Sequence, residues 1–350
     1  MWSHKTPHWY EIDLMEEKKK FVWADNLRIA ATVGVIAVHA SASIPPLFGQ
    51  ISQSTWWTAN ILDCLARFCV PVFVMLSGAL LLRSYSPPAE FFRKRFLRIV
   101  FPFLFWSLTY SLLQLAVKTG QLWQMSIPEY LSFFWGQLAG DSISYHFWYI
   151  YMIMGLYILI PFIGGFIRSA SDNSLLGFTG LWFLLVFSMD ILTGAFKVPD
   201  VLRYLGYLPL GYYLGKKDLK QNVRPASLML TVMGLVITTV GTFWISEHDK
   251  EFNAALYGYA SPNILIFSVG VFMLFRSFDW RPSNKAGSFI NRYSYGIYLV
   301  HVLVLSQVKF PWLSSYPLIG IPLTVIICLA VSGLVVFLIN KLPGGKYVSG

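Results

Sequence analysis

His39 stands eleven positions after Arg28 in one apolar stretch that opens Asp25-Asn26-Leu27-Arg28. At about 100° per residue, eleven steps return almost to the starting angle. The two therefore share a helix face, about 16 Å apart along the axis. Asp25, Thr32 and His39 recur every seven residues beside that face. The pattern is a polar stripe running from one membrane surface towards mid-span. An imidazole placed there can exchange a proton near neutral pH. That suits general-base or nucleophilic work on a hydroxyl. The plainer reading is also open: a His hydrogen-bonded to a neighbouring helix, with Arg28 as a surface anchor.

Other groups invite the same question, because ionisable side chains inside spans are costly and by default mark function. Asp63 and Arg67 are spaced i,i+4, so they either neutralise each other or leave Arg67 to meet water or an anionic ligand. Arg95 and Arg98 end the run Arg93-Lys94-Arg95-Phe96-Leu97-Arg98 and face the same way. Two guanidinium forks suit phosphate; the alternative is a topology signal that binds anionic lipid. In Tyr145-His146-Phe147-Trp148-Tyr149 an aromatic belt explains the rings but not His146. Asp190 is a further intraspan acid. Ser294, Tyr298 and His301 lie at i, i+4 and i+7, hence on one face.

Metal binding is not expected: none of the span-associated His39, His146 and His301 stands in an HxxxH or HxxE spacing, and the three fall at different depths. A Ser-His-Asp hydrolase would need a nucleophile elbow that is missing. Cys64, Cys69 and Cys328 all sit in apolar runs and suggest neither a disulfide framework nor a CxxC site.

The elements that must position these groups are membrane helices. Of 350 residues, 56% are hydrophobic and only 13% charged. A soluble domain carries about 25% charged residues, so the surplus apolar surface must face lipid. Ten stretches qualify as spans: 27–47, 57–82, 96–118, 147–167, 175–195, 201–215, 226–245, 261–278, 288–310 and 318–340. The sixth is short enough to be re-entrant instead. Pro71 should kink the second. The segment 119–146, with Trp123, Tyr130, Phe133, Phe134 and Trp135, reads as an outer interfacial roof. No removable signal peptide precedes the first span.

The net charge is +10, yet the Lys and Arg sit in short loops, which speaks against nucleic acid as a partner. Of the 27 Lys and Arg, all fall on one side except Lys118, Lys197, Arg203, Lys250, Lys309 and the intraspan Arg67. By the positive-inside rule that side is cytoplasmic and holds both termini. The expected fold class is thus an all-α polytopic membrane protein of about ten transmembrane helices. Its parts are a cytoplasmic segment 1–24, a transmembrane domain 25–340 and a cytoplasmic tail 341–350.

Taken together and in order, these pieces resemble the acyltransferase-3 family of membrane acyltransferases. The matching motifs are Arg28-x10-His39 after Asp25; Arg67-Phe68-Cys69-Val70-Pro71 with Phe73 and Ser77-Gly78; the R-x-x-R of Arg95 and Arg98; Tyr145-His146-Phe147-Trp148-Tyr149; and Ser294-Tyr295-Gly296-Ile297-Tyr298 ending at His301. The layout is similar to the shorter members, the surface-polysaccharide O-acetyltransferases without an appended soluble domain. The resemblance implies a multi-pass protein of the bacterial inner membrane with no resident cofactor. Its donor would be acyl-CoA, usually acetyl-CoA, and its acceptor a hydroxyl of a surface or lipid-linked glycan. It places His39 and Arg28 at the reaction centre and Arg95 and Arg98 near the donor. Asp25, Arg67, His146, Trp148, Ser294 and His301 would support or orient substrate. Buried charge alone fits a transporter or flippase of a glycan or lipid precursor equally well; such a protein has no reason to bind CoA at Arg95 and Arg98.

Overall fold

In lipid every backbone N–H and C=O must find a partner within the protein, so apolar runs of this length form helices. The computed structural model describes residues 21–193, 198–308 and 315–350. It shows an all-α polytopic membrane protein. The expected segment before residue 25 lies almost wholly outside the described residues, and so does the side chain of Asp190. The helices are α1 (Val22–Ser41), α2 (Gln53–Ala66), α3 (Cys69–Leu81), α4 (Pro88–Leu113) and α5 (Ile127–Ala139). They continue with α6 (Trp148–Ser169), α7 (Asp172–Thr193), α8 (Asp200–Leu205) and α9 (Tyr207–Lys216). The chain ends with α10 (Arg224–Asp249), α11 (Pro262–Ser277), α12 (Lys285–Gln307) and α13 (Pro317–Lys341).

Among the described residues, 8 helical stretches are long and apolar enough to cross a membrane; α2 and α3 count as one. They include neither α12 nor the α8–α9 pair. α12 has the length, 23 residues, but carries the polar face Asn291, Ser294, Tyr298 and His301. α1 is the hub of the bundle and packs against α2, α3, α11, α12 and α13.

Three expected spans differ in detail. The stretch 57–82 is not one kinked helix. It breaks at Arg67 and Phe68, and Pro71 falls in the first turn of α3, where a missing N–H costs little. The basic run before 96 is not a loop, because α4 starts at Pro88 and carries the cations on its first turns. The stretch 201–215 forms two short helices joined at Gly206. α9 rises about 15 Å, about half the hydrocarbon thickness, and lies backbone to backbone on α3. A Cβ on Gly211 would sit 2.0 Å from the Met75 carbonyl oxygen, and one on Gly78 would sit 2.0 Å from that of Leu208. Only glycine permits this approach, as in other small-residue helix contacts in lipid.

The basic residues gather at one end. Arg28 reaches Asn291, Arg83 reaches the Gly215 carbonyl, and Arg224 reaches the Ser277 carbonyl. Arg276 lies over Trp23, and Lys216 pairs with Asp172. The far end carries α5, whose start is fixed by a capping box between Ser126 and Glu129. Ile127, Leu131 and Trp135 follow one another at i+4 on α5 and are all exposed, as is Trp123 just before the helix. That apolar stripe suits a helix lying in the membrane interface.

Candidate functional site

Arg28, Arg95 and Arg98 meet at the basic end around a cavity of about 220 Å³. α1 brings Arg28, the first turns of α4 bring Arg95 and Arg98, and Ser77 and Ser294 come from α3 and α12. Arg28 is oriented by Asp25 at 3.2 Å and by Asn291 at 2.8 Å. Asn291 was not among the residues singled out from the sequence, although a polar residue one turn before Ser294 was signal enough. Lys94, in the same basic run, is occupied by Glu90 at 2.5 Å. A three-arginine mouth with two serines offers charge-assisted donors to phosphate groups. Arg28 therefore lines this mouth beside Arg95 and Arg98, whereas His39 lines a different cavity.

That second cavity, about 90 Å³, is lined by His39, His146, Trp148 and Tyr259. Phe73, Tyr149 and Tyr298 border both cavities and form the wall between them. The three histidines do not lie at different depths, as their positions along the spans suggested. The His301 ring centroid is 5.1 Å from that of His39 and 5.1 Å from that of His146. His39 sits in the last turn of α1 and His301 in α12, while His146 precedes α6 by two residues. Helices running in opposite directions bring their ends to one level, which sequence position does not reveal. Among the described residues, no group of three or more His, Cys, Asp or Glu is placed to hold a metal ion.

Each histidine ring has its own restraint. Ser144 Oγ lies 2.8 Å from His146 Nδ1, and His301 Nδ1 lies 2.5 Å from the Tyr298 carbonyl oxygen. The Tyr298 hydroxyl donates to the His146 carbonyl, tying α12 to the segment before α6. The Nε2 atoms of His146 and His301 are buried without a hydrogen-bond partner. Trp148 stacks against Tyr259 with ring centroids 6.1 Å apart. Arg67 stands behind that ring: it pairs with Asp63 at 2.5 Å, donates to the Tyr257 carbonyl at 2.7 Å and covers the Tyr257 ring at 3.6 Å. Tyr259, which links Arg67 to the histidine cavity, carried no sequence signal.

A third cavity, about 410 Å³, opens at the far end between Tyr110, Gln114, Ser144, Tyr145 and Gln307. It adjoins the histidines, since the Tyr145 ring is 5.2 Å from that of His39 and Ser144 holds His146. The arrangement is thus a basic mouth, a histidine constriction and an uncharged far vestibule.

Asp141 lies one residue before the vestibule, in the loop between α5 and α6. Burial, then the neighbouring Asp200 carboxylate, pushes its carboxyl up from 3.8 to about 6. The folded state thus holds this proton to higher pH than the unfolded chain does. The group's contribution is fully present below 3.8 and is lost as pH rises through about 6. Asp141 is also in the left-handed region, at φ 47, which Asn tolerates well. Asp141→Asn is expected to raise the thermal midpoint in detergent at neutral pH and to leave it unchanged below the unfolded value. Solvent screening at this exposed loop limits the gain. An equal shift at both pH values would mean that the charge is not the cause.

Residues 21–339 match the acyltransferase-3 family, described as an acyltransferase domain. The chain belongs to this family. It is similar, at 24% identity over 310 residues, to a protein of Bacillus subtilis (strain 168) named as a membrane-bound acyltransferase, YfiQ. That alignment covers 81% of this chain and 83% of the relative. No solved structure matches.

Proposed function

We propose that this membrane acyltransferase is an O-acyltransferase that moves an acyl group, acetyl foremost, from acyl-CoA to a hydroxyl of a surface or lipid-linked glycan. One observation carries the reading: the three-arginine mouth shares a wall with the histidine cavity. Arg95, Arg98 and Arg28 hold the phosphates of the donor. The thioester arm passes Phe73, Tyr149 and Tyr298 towards His39. His39 takes the proton as the acceptor oxygen adds to the thioester carbonyl. A C–O bond forms, the C–S bond breaks, and the proton ends on the CoA sulfur. The acceptor meets the histidines from the far vestibule. Trp148, His146 and Arg67, through Tyr259, shape the chamber. In this reading the basic end faces the cytoplasm of a bacterial cell, both termini lie there, and the protein sits in the inner membrane. The acceptor class comes from the resemblance to surface-polysaccharide O-acetyltransferases such as that of enterobacterial common antigen.

The test is radiolabelled acetyl-CoA supplied to the basic face of membranes carrying the protein. Alkali-labile label in a glycan fraction is the expected result. No label, together with no binding of CoA, would favour transport of a glycan or lipid precursor. Arg95→Ala is expected to raise the apparent KM for acetyl-CoA about tenfold or more, the cost of one charged hydrogen bond, with kcat little changed. An unchanged KM would make Arg95 a lipid or topology contact.

A further inference from the structure

The two nitrogens of His301 are in different states. Nδ1 lies 2.5 Å from the Tyr298 carbonyl oxygen. A carbonyl only accepts, so Nδ1 carries the hydrogen and Nε2 keeps a free lone pair. His301 is 0% exposed, and its Nε2 has no partner. A buried acceptor left without a donor is costly, so the tautomer is held against a penalty. The ring beside it is that of His39, which lines the cavity next to the donor mouth. His301 borders neither that cavity nor the mouth. The order inward from the cavity is therefore His39, then His301. His146, which lines the same cavity as His39, also flanks His301, its Nδ1 engaged by Ser144.

We propose that His301 holds the proton transiently during the transfer, as a fixed-tautomer base placed behind His39. The proposal rests on the acyl-transfer reading. As the acceptor oxygen adds to the thioester carbonyl, its proton passes to one nitrogen of His39. The proton on the other His39 nitrogen moves to His301 Nε2. His39 is then neutral again beside the tetrahedral intermediate, and the imidazolium sits one ring away with Nδ1–H on the Tyr298 carbonyl. Collapse breaks the C–S bond and leaves the electron pair on sulfur. The proton returns through His39 to that sulfur, giving the ester and the CoA thiol with atoms and charge balanced.

His301→Asn tests this directly. The Asn amide nitrogen takes the place of Nδ1 and keeps the bond to the Tyr298 carbonyl, but it supplies no base. The full chain is assayed in vesicles made from the expressing membranes, with radiolabelled acetyl-CoA. The saturating rate is expected to fall about 100-fold or more, with half-saturating acetyl-CoA within about twofold of wild type. The residual rate should keep climbing with pH where the wild-type rate is level, because hydroxide replaces the missing base. A saturating rate within about twofold of wild type would overturn the proposal and leave His301 an anchor. A rate loss accompanied by weaker acetyl-CoA saturation would overturn it too, by making the role structural. If the Asn variant does not insert, His301→Gln is held to the same criteria. Absence of transfer by wild type would instead sink the acyl-transfer reading on which the relay stands.

Discussion

His39→Ala is expected to reduce acyl transfer by about 10²- to 10⁴-fold, the usual contribution of a positioned acid or base, while the protein still inserts. The ring is only partly covered and lines an existing cavity, so its removal enlarges that space at the cost of its ring contacts with Tyr145 and His301. Loss of stability should accordingly be small. The apparent KM for acetyl-CoA should hold, because the phosphate contacts lie at Arg28, Arg95 and Arg98 in the neighbouring cavity. A fall in kcat with KM unchanged is the mark of an interaction made in the transition state. Measuring both constants in membrane vesicles, beside protease resistance as a check on insertion, separates chemistry from folding. Activity within about tenfold of wild type would remove His39 from the proton path and move attention to His146 or His301.

The polar stripe of α1 illustrates what a linear reading reaches. The eleven-residue spacing put Arg28 and His39 on one face. The same spacing separates them by about 16 Å of helix rise, so they line different cavities. Ser294, Tyr298 and His301 were legible as one face because i, i+4 and i+7 are fixed by the helix itself. Their partners were not: His146 comes from the segment before α6 and His39 from the end of α1. Which helix ends meet at one depth depends on direction and packing, not on local pattern. The α2–α3 break was also hidden, since Gln53–Leu81 is apolar enough overall to pass for one continuous span. The close contact of α9 with α3 left only Gly78, Gly211 and Gly215 as clues. Fold class was readable because surplus apolar surface has few solutions in lipid.

Asp63→Ala is expected to destabilise the protein by about 3–5 kcal/mol, because it leaves a buried guanidinium without its counter-charge. Asp63 is 0% exposed and Arg67 only 11%, and their atoms meet at 2.5 Å. The carboxylate also accepts from Ser41 Oγ at 2.7 Å, which joins α2 to the end of α1. Beyond Arg67 the chain of contacts runs through the Tyr257 carbonyl, and the Tyr257 hydroxyl donates to Asn60 at 2.6 Å. Asn60 in turn donates to the Thr239 carbonyl at 3.1 Å, so the network that includes the ion pair connects α1, α2 and α10. The double variant Asp63→Leu with Arg67→Met removes both charges and keeps volume. It should recover much of the loss, since apolar replacement of a buried pair is often neutral or better. Thermal midpoints in one detergent, for the two single variants and the double, measure this. A double variant as unstable as Asp63→Ala would mean that the hydrogen bonds to Ser41 and Tyr257 carry the stability. In that case the pair sits behind Tyr259 as a framework for the histidine chamber rather than as a charge the bundle must neutralise.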